Sequence, residues 1–160
     1  MAYLLAWVGF NGRQIEESVW RAMVEQLHRR APLSNARLRF EIAQSSSRAY
    51  AIKVIPGEPL PLRRLDDGSI MLCDSRFEPG AHATTVPGDE PAALIVLDAG
   101  QSSIRVLRDR LGQQPLLWVR VKDGILVASK ESILLAHPEV NRGLDMKYLA
   151  AHLAQINPEP

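Results

Sequence analysis

An α+β fold with mainly antiparallel sheets is predicted by three features of this chain. Stretches with strand character outnumber stretches with helical periodicity, the helical ones lie towards the two ends, and short gaps bearing Gly, Asn or Asp separate neighbouring strands.

The elements follow in order. Residues 3–8, Tyr-Leu-Leu-Ala-Trp-Val, read as a buried strand ended by Gly9, with Asn11-Gly12 as a turn. Ile15, Val19, Met23 and Leu27 then recur every four residues on one helical face. Glu16 and Glu17 at its start and Arg29 and Arg30 at its end suit the helix dipole, and Pro32 stops it. Residues 36–42 set Leu38, Phe40 and Ile42 against Arg37, Arg39 and Glu41, the period-two pattern of a strand with one wet face. Its expected partner is 50–55, across Ser45-Ser46-Ser47. Residues 56–61 make a proline-rich connection, and Asp66-Asp67-Gly68 turns the chain into a strand over 70–74. The prolines and glycines of 78–91 predict an irregular loop, and 92–98 a further strand.

The stretch 104–137 organises the rest. Ile104, Val106 and residues 116–121 look like strands separated by Gly112 and Pro115. Lys122-Asp123-Gly124 leads as a hairpin into 125–129. A β-meander is expected here, handing over to a helix at Glu131. Val106, Leu117, Val119, Leu126 and Ala128 should be buried in adjoining strands, with Trp118 on the opposite face from Leu117 and Val119. Asp145 can cap a last helix whose Met146, Leu149, Leu153 and Ile156 form one apolar stripe.

With 160 residues, 46% of them hydrophobic, the chain is long enough to bury about 68–70% of its unfolded surface, which predicts a single domain over 1–160. Nineteen basic and 18 acidic residues leave a net charge of +1, too little field to draw in nucleic acid or an anionic membrane. The first apolar run is too short for a membrane span, and it lacks the flanks of a signal peptide. One cysteine makes no internal disulfide, so a cytoplasmic setting is expected.

Few residues stand out as chemistry. Cys73 lies in an apolar strand and reads as a small core residue rather than a nucleophile. His28, His82, His137 and His152 have no spacing that puts two on one helix face, so no metal site is expected. Arg63-Arg64 beside Asp66-Asp67 read as a solvated turn rather than an anion site. In Arg108-Asp109-Arg110 a structural role is favoured, Asp109 pairing an arginine or satisfying loop amides. Arg110, Gln113 and Gln114 are polar residues between two strands that could face a partner domain.

Arg108-Asp109-Arg110-Leu111-Gly112-Gln113-Gln114-Pro115-Leu116, followed by Val127-Ala128-Ser129 and Leu134-Leu135, resembles the signature "RDRFGxxPLYY … FASExxALL" of asparagine-synthetase-like proteins. In them it lies in the amino-terminal glutamine-amidotransferase domain. The likeness reaches back to residues 92–98, similar to "FAFALWD", and forward to 144–153, similar to the closing helix "LDxxALAxYL". About 65 residues are covered.

The resemblance implies the four-layer αββα sandwich of amino-terminal-nucleophile hydrolases, shortened here, and glutamine hydrolysis by a cysteine at position 2. That position holds Ala2, whose methyl cannot attack an amide. The family's oxyanion motif, similar to "FNGEIYN", falls on Cys73-Asp74-Ser75-Arg76-Phe77. Asp74 stands there for Asn and Ser75 for Gly, and an acid would oppose a developing oxyanion. The glutamine-holding "SDTE" element is missing. So is the "SGGxDS" loop for ATP pyrophosphate, so no cofactor is expected on this chain, with ATP and Mg confined to a separate ligase domain.

The implied role is a non-hydrolytic amidotransferase-like domain of an ATP-dependent amide-forming ligase. Its nearest kinds are β-lactam synthetases and lasso-peptide macrolactam cyclases, with the ligase and a precursor peptide as partners. The alternative is a free-standing module that binds a peptide or protein. The surface bearing Arg110 and Gln114, or the helix face bearing Leu149 and Leu153, is the expected interface, and an exposed apolar patch there would favour a homo-oligomer.

Overall fold

The computed structural model describes residues 3–29, 38–41, 48–53, 62–75, 91–98, 103–143 and 145–153. Their elements are β1 (Tyr3–Gly9), a 3₁₀ turn (Phe10–Gly12), α1 (Glu17–Arg29), β2 (Leu38–Glu41), β3 (Arg48–Lys53), β4 (Leu62–Arg64), β5 (Ile70–Ser75), β6 (Ala92–Leu97), β7 (Ile104–Arg108), β8 (Leu117–Val121), β9 (Gly124–Ala128), α2 (Glu131–Leu134) and α3 (Met146–Leu153). The class is α+β. Every strand pairing is antiparallel, in a five-stranded sheet of order β2-β3-β1-β9-β8 and a four-stranded sheet of order β4-β5-β6-β7.

Side-chain alternation along each strand sorts the core into layers. Leu4, Ala6 and Val8 of β1, Tyr50 and Ile52 of β3 and Val127 of β9 meet Ile70 and Leu72 of β5 and Ala93, Ile95 and Leu97 of β6 between the two sheets. The other face of the five-stranded sheet, with Leu5, Trp7, Leu126 and Ala128, is covered by Trp20, Met23 and Leu27 of α1 and by Ile133 and Leu134 of α2. Strands β1, β3 and β6 are therefore apolar on both sides, which is why they read as continuous hydrophobic runs rather than alternations. The architecture is compatible with an αββα sandwich of the amino-terminal-nucleophile kind. Three layers are visible in these contacts, and on the outer face of the four-stranded sheet no described helix residue joins the cluster of Met71, Leu94 and Val96.

Several expectations are corrected. Residues 104–128 do not form a meander, because β7 belongs to one sheet and the β8–β9 hairpin to the other. Residues 109–116 carry the chain across. Leu117 is 39% exposed, since β8 is an edge strand, and it is the neighbouring Leu116, 6% exposed, that enters the inter-sheet core. Trp118 does lie on the opposite face from Leu117 and Val119: its register partner Val127 faces the second sheet, whereas Ala128 and Leu126 face the helices. Arg63 and Arg64 are on a strand, β4, and the turn comes after them, closed by Gly68 N donating to Leu65 O at 2.9 Å. Helix α1 begins at Glu17, so Ile15 packs on the core from the approach to the helix rather than from within it.

The cap at Asp145 forms as expected, its Oδ1 accepting from Lys147 N at 3.0 Å. The stripe that should follow is only partly realised. Leu149 is half-buried but Met146 is 67% exposed. The side chain of Leu153, and residues 30–37, 42–47, 54–61 and 76–90 with the loop and proline assignments made there, lie outside what is described, as does Ile156. Among the described residues no helix is long and apolar enough to cross a membrane.

Candidate functional site at one end of the sandwich

Register places the motif residues together. Asp74 pairs with Ala93 and Ala93 with Arg108, so the end of β5, the start of β6 and the end of β7 share one end of their sheet. Leu117 pairs with Ala128 and Ala128 with Leu5, which aligns the starts of β8 and β1 with the end of β9 in the other sheet. Since 109–116 links Arg108 to Leu117, both groups lie at the same end of the molecule.

Asp109 holds the crossover in shape. Its carboxylate is 2% exposed and accepts three backbone N–H groups, from Gln113 at 2.8 Å, Gln114 at 3.0 Å and Ala92 at 3.3 Å. Its own N–H donates to Ala92 O at 2.8 Å, and Gly112 N donates to Asp109 O at 3.0 Å. The Gln114 amide first, then those of Gln113 and Ala92, hold the carboxyl below its ordinary range by bonding the charged form. Of the two roles open to Asp109 in the sequence, the loop amides are therefore the one observed. Gly112 sits at φ +65, a conformation that disfavours any side chain, and a Cβ there would come 3.1 Å from Arg108 Nη2. The Arg108 guanidinium thus folds back over the turn, while Arg110 is exposed.

Ser129 closes the same end on the other sheet. Its N–H donates to Leu4 O at 3.0 Å, and its Oγ accepts from Leu4 N at 3.0 Å and lies 3.4 Å from Leu4 O as donor. One buried hydroxyl thereby continues the β1–β9 ladder past Ala128 and fixes the strand that follows Ala2. Ala2 itself lies outside the described residues. The Lys130 ammonium stands 4.2 Å from the Tyr3 ring centre, a cation–π contact that no sequence pattern signals because it joins residues distant in the chain. Pro115 is exposed and precedes Leu116, the last residue of the crossover.

Alternation along β5 separates the two candidates there. Ile70 and Leu72 face the other sheet, so Asp74 faces it too, nearly buried, whereas Cys73 points outward with Met71. Burial, reinforced by the neighbouring Asp74 charge, pushes the Cys73 thiol up to about 11, so the nucleophilic thiolate is scarce at neutral pH. The side chain of Ser75 lies outside the described residues. His137 is buried beyond α2, its Nδ1 3.3 Å from Glu139 N, and burial lowers its pKa. Among the described residues no group of three His, Cys, Asp or Glu side chains could hold a metal ion.

The Asp109 carboxylate and the Ser129 hydroxyl are occupied by backbone, and the Cys73 thiol faces away from the inter-sheet layer. Both β7-to-β8 crossover and β9 terminus fall inside residues 90–160, which match the family model for a glutamine amidotransferase domain. That stretch is 71 of the 160 residues, less than half of the chain. No curated protein matches the chain.

Proposed function

We propose that this chain is a glutamine amidotransferase-like domain that does not hydrolyse glutamine and instead scaffolds an ATP-dependent amide-forming ligase of the asparagine-synthetase kind, of β-lactam-synthetase or lasso-peptide-cyclase type. The observation that carries the proposal is the residue directly ahead of β1. Ala2 offers only a methyl where the family places its nucleophile, and loss of a nucleophile from a cooperating set costs on the order of 10⁶ in rate. Asp74 adds support: on the inter-sheet face at the end of β5, a carboxylate would repel the oxyanion that the family's Asn stabilises.

A ligase whose substrate carries its own amine has no need of ammonia. ATP and Mg would then bind the ligase part, with a precursor peptide as one substrate and the cytoplasm as the setting; the lone Cys73 suits that compartment. Asp109 and Ser129 keep the crossover and the first strand in place, which is what a scaffold must preserve after catalysis is lost.

Purified chain incubated with glutamine, with a coupled glutamate readout, should show no turnover above background. Ala2→Cys alone should not restore it, since a nucleophile without oxyanion donors gains little. Turnover abolished by alkylating Cys73, or recovery on the single Ala2→Cys change, would sink the proposal.

A further inference from the structure

We infer that the free edge of β8 is a docking site for an extended, acidic peptide segment that adds to the five-stranded sheet as a sixth strand. Strand β8 is last in the sheet order, and among the described residues nothing pairs with it on the side away from β9. In an antiparallel ladder every second residue directs its N–H and C=O away from its partner strand, so this edge presents a row of donors and acceptors with no strand partner among the described residues. An extended backbone satisfies such a row.

The side chains fit the same partner. Natural edges are commonly blunted by short strands, prolines or inward-pointing charges. Residues 117–121 contain neither Pro nor Gly, and they expose Trp118 at 66% on the inter-sheet side and Leu117 on the helix side. An added strand would therefore find an apolar contact on each face, with the tryptophan as the larger anchor.

Charge selects the peptide. Between residues 108 and 122 the exposed charges are all positive: Arg108 and Arg110 on the approach to β8, Arg120 within it and Lys122 just after it. The only acid in that stretch, Asp109, is buried and bonded to three backbone amides. The nearby Glu139 carboxylate accepts the Lys122 N–H at 2.8 Å. Arg120 lies 5.1 Å over the Phe10 ring, a contact that leaves its charge unneutralised. Set against the Asp123 and Glu139 carboxylates, these four cations leave a local excess of two positive charges, on a chain whose net charge is only +1, and that excess steers an acidic strand and repels a basic one. Docking of this kind would hold whether or not the chain serves a ligase.

The test uses the full chain, isotope-labelled, titrated with three capped hexapeptides: alternating valine and glutamate, alternating valine and lysine, and the glutamate peptide N-methylated on alternate residues. The glutamate peptide should shift and protect the β8 amides, more weakly as salt rises. The lysine and N-methylated peptides should not. Trp118→Ser and Arg110→Glu, both at exposed positions, should leave the melting temperature of the free chain unchanged and each weaken binding about tenfold. Equal binding of the lysine peptide, perturbations away from β8, or no response of β8 at millimolar peptide would each overturn the inference. So would a doubled mass of the free chain with its β8 amides already protected, which would assign the edge to a second copy.

Discussion

Asp109 shows how much one side chain decides here. Two carboxylate oxygens serve three backbone donors, a demand that an amide cannot meet. In Asp109→Asn the NH₂ group would face at least one of the N–H groups of Gln113, Gln114 or Ala92, leaving a buried donor opposed to a donor. The thermal midpoint should fall by several degrees, roughly 5 °C or more for a chain of this size. The pH dependence follows from the lowered pKa. A carboxyl depressed in the folded state contributes stability that is fully present above its unfolded value near 3.8 and is lost as pH falls through the folded value. Urea midpoints measured between pH 5 and pH 2 should therefore drop more steeply in the parent than in Asp109→Asn; parallel curves would show that the carboxylate is not ionised in its amide cradle. Ser129 gives a neutral counterpart. Ser129→Ala removes the acceptor of the Leu4 N–H in a buried setting, for an expected cost of about 1–3 kcal/mol. Hydrogen exchange at Leu4 should quicken while the amides of α1 keep theirs, and unchanged exchange at Leu4 would dismiss the pin.

At the scale of elements, β8 separates two neighbours that look alike in sequence. Leu116 ends the crossover and fills the inter-sheet core, whereas Leu117 opens an edge strand and remains partly in water. Leu116→Ala should destabilise by about 2–5 kcal/mol, the range for emptying a packed site. Leu117→Ala should cost less than about 1 kcal/mol, because little of its area leaves water on folding. Chemical denaturation of both variants decides the matter, and the reverse order would mean that β8 is shifted by one residue. The β8–β9 hairpin is held from the opposite side by Trp7, whose ring lies over Gly124. A Cβ at Gly124 would come 2.4 Å from Trp7 Cη2 and from Val8 O, so this glycine is required by close approach; its φ is not positive, so the turn itself does not demand it.

For the molecule as a whole, β1 is the keystone. It lies between β3 and β9, so the first strand of the chain is sealed by one from its last third, and its two faces supply both major cores. The start of β1 therefore lies at the same end of the sandwich as the ends of β5, β7 and β9. The Asp109 crossover fixes how the two sheets meet, because it is the connection by which β7 passes over to β8.

Most of this was legible in the residues wherever a local rule applies. Helix α1 announces itself through Val19, Met23 and Leu27 at four-residue spacing, the β8–β9 hairpin through Lys122-Asp123-Gly124, and the α3 cap through Asp145, because periodicity and turn chemistry act within a few residues. Assignment of strands to sheets was not legible. A strand has the same period whichever sheet it joins, so Val106 and Leu117 read alike although they lie in different sheets, and short β4 gave too few residues for a pattern. Exposure at an edge, the three amides gathered on Asp109 and the bond from Leu4 to Ser129 across 125 residues all depend on long-range pairing. Only the tertiary structure decides them, since they arise when segments far apart in the chain compete for the same neighbours.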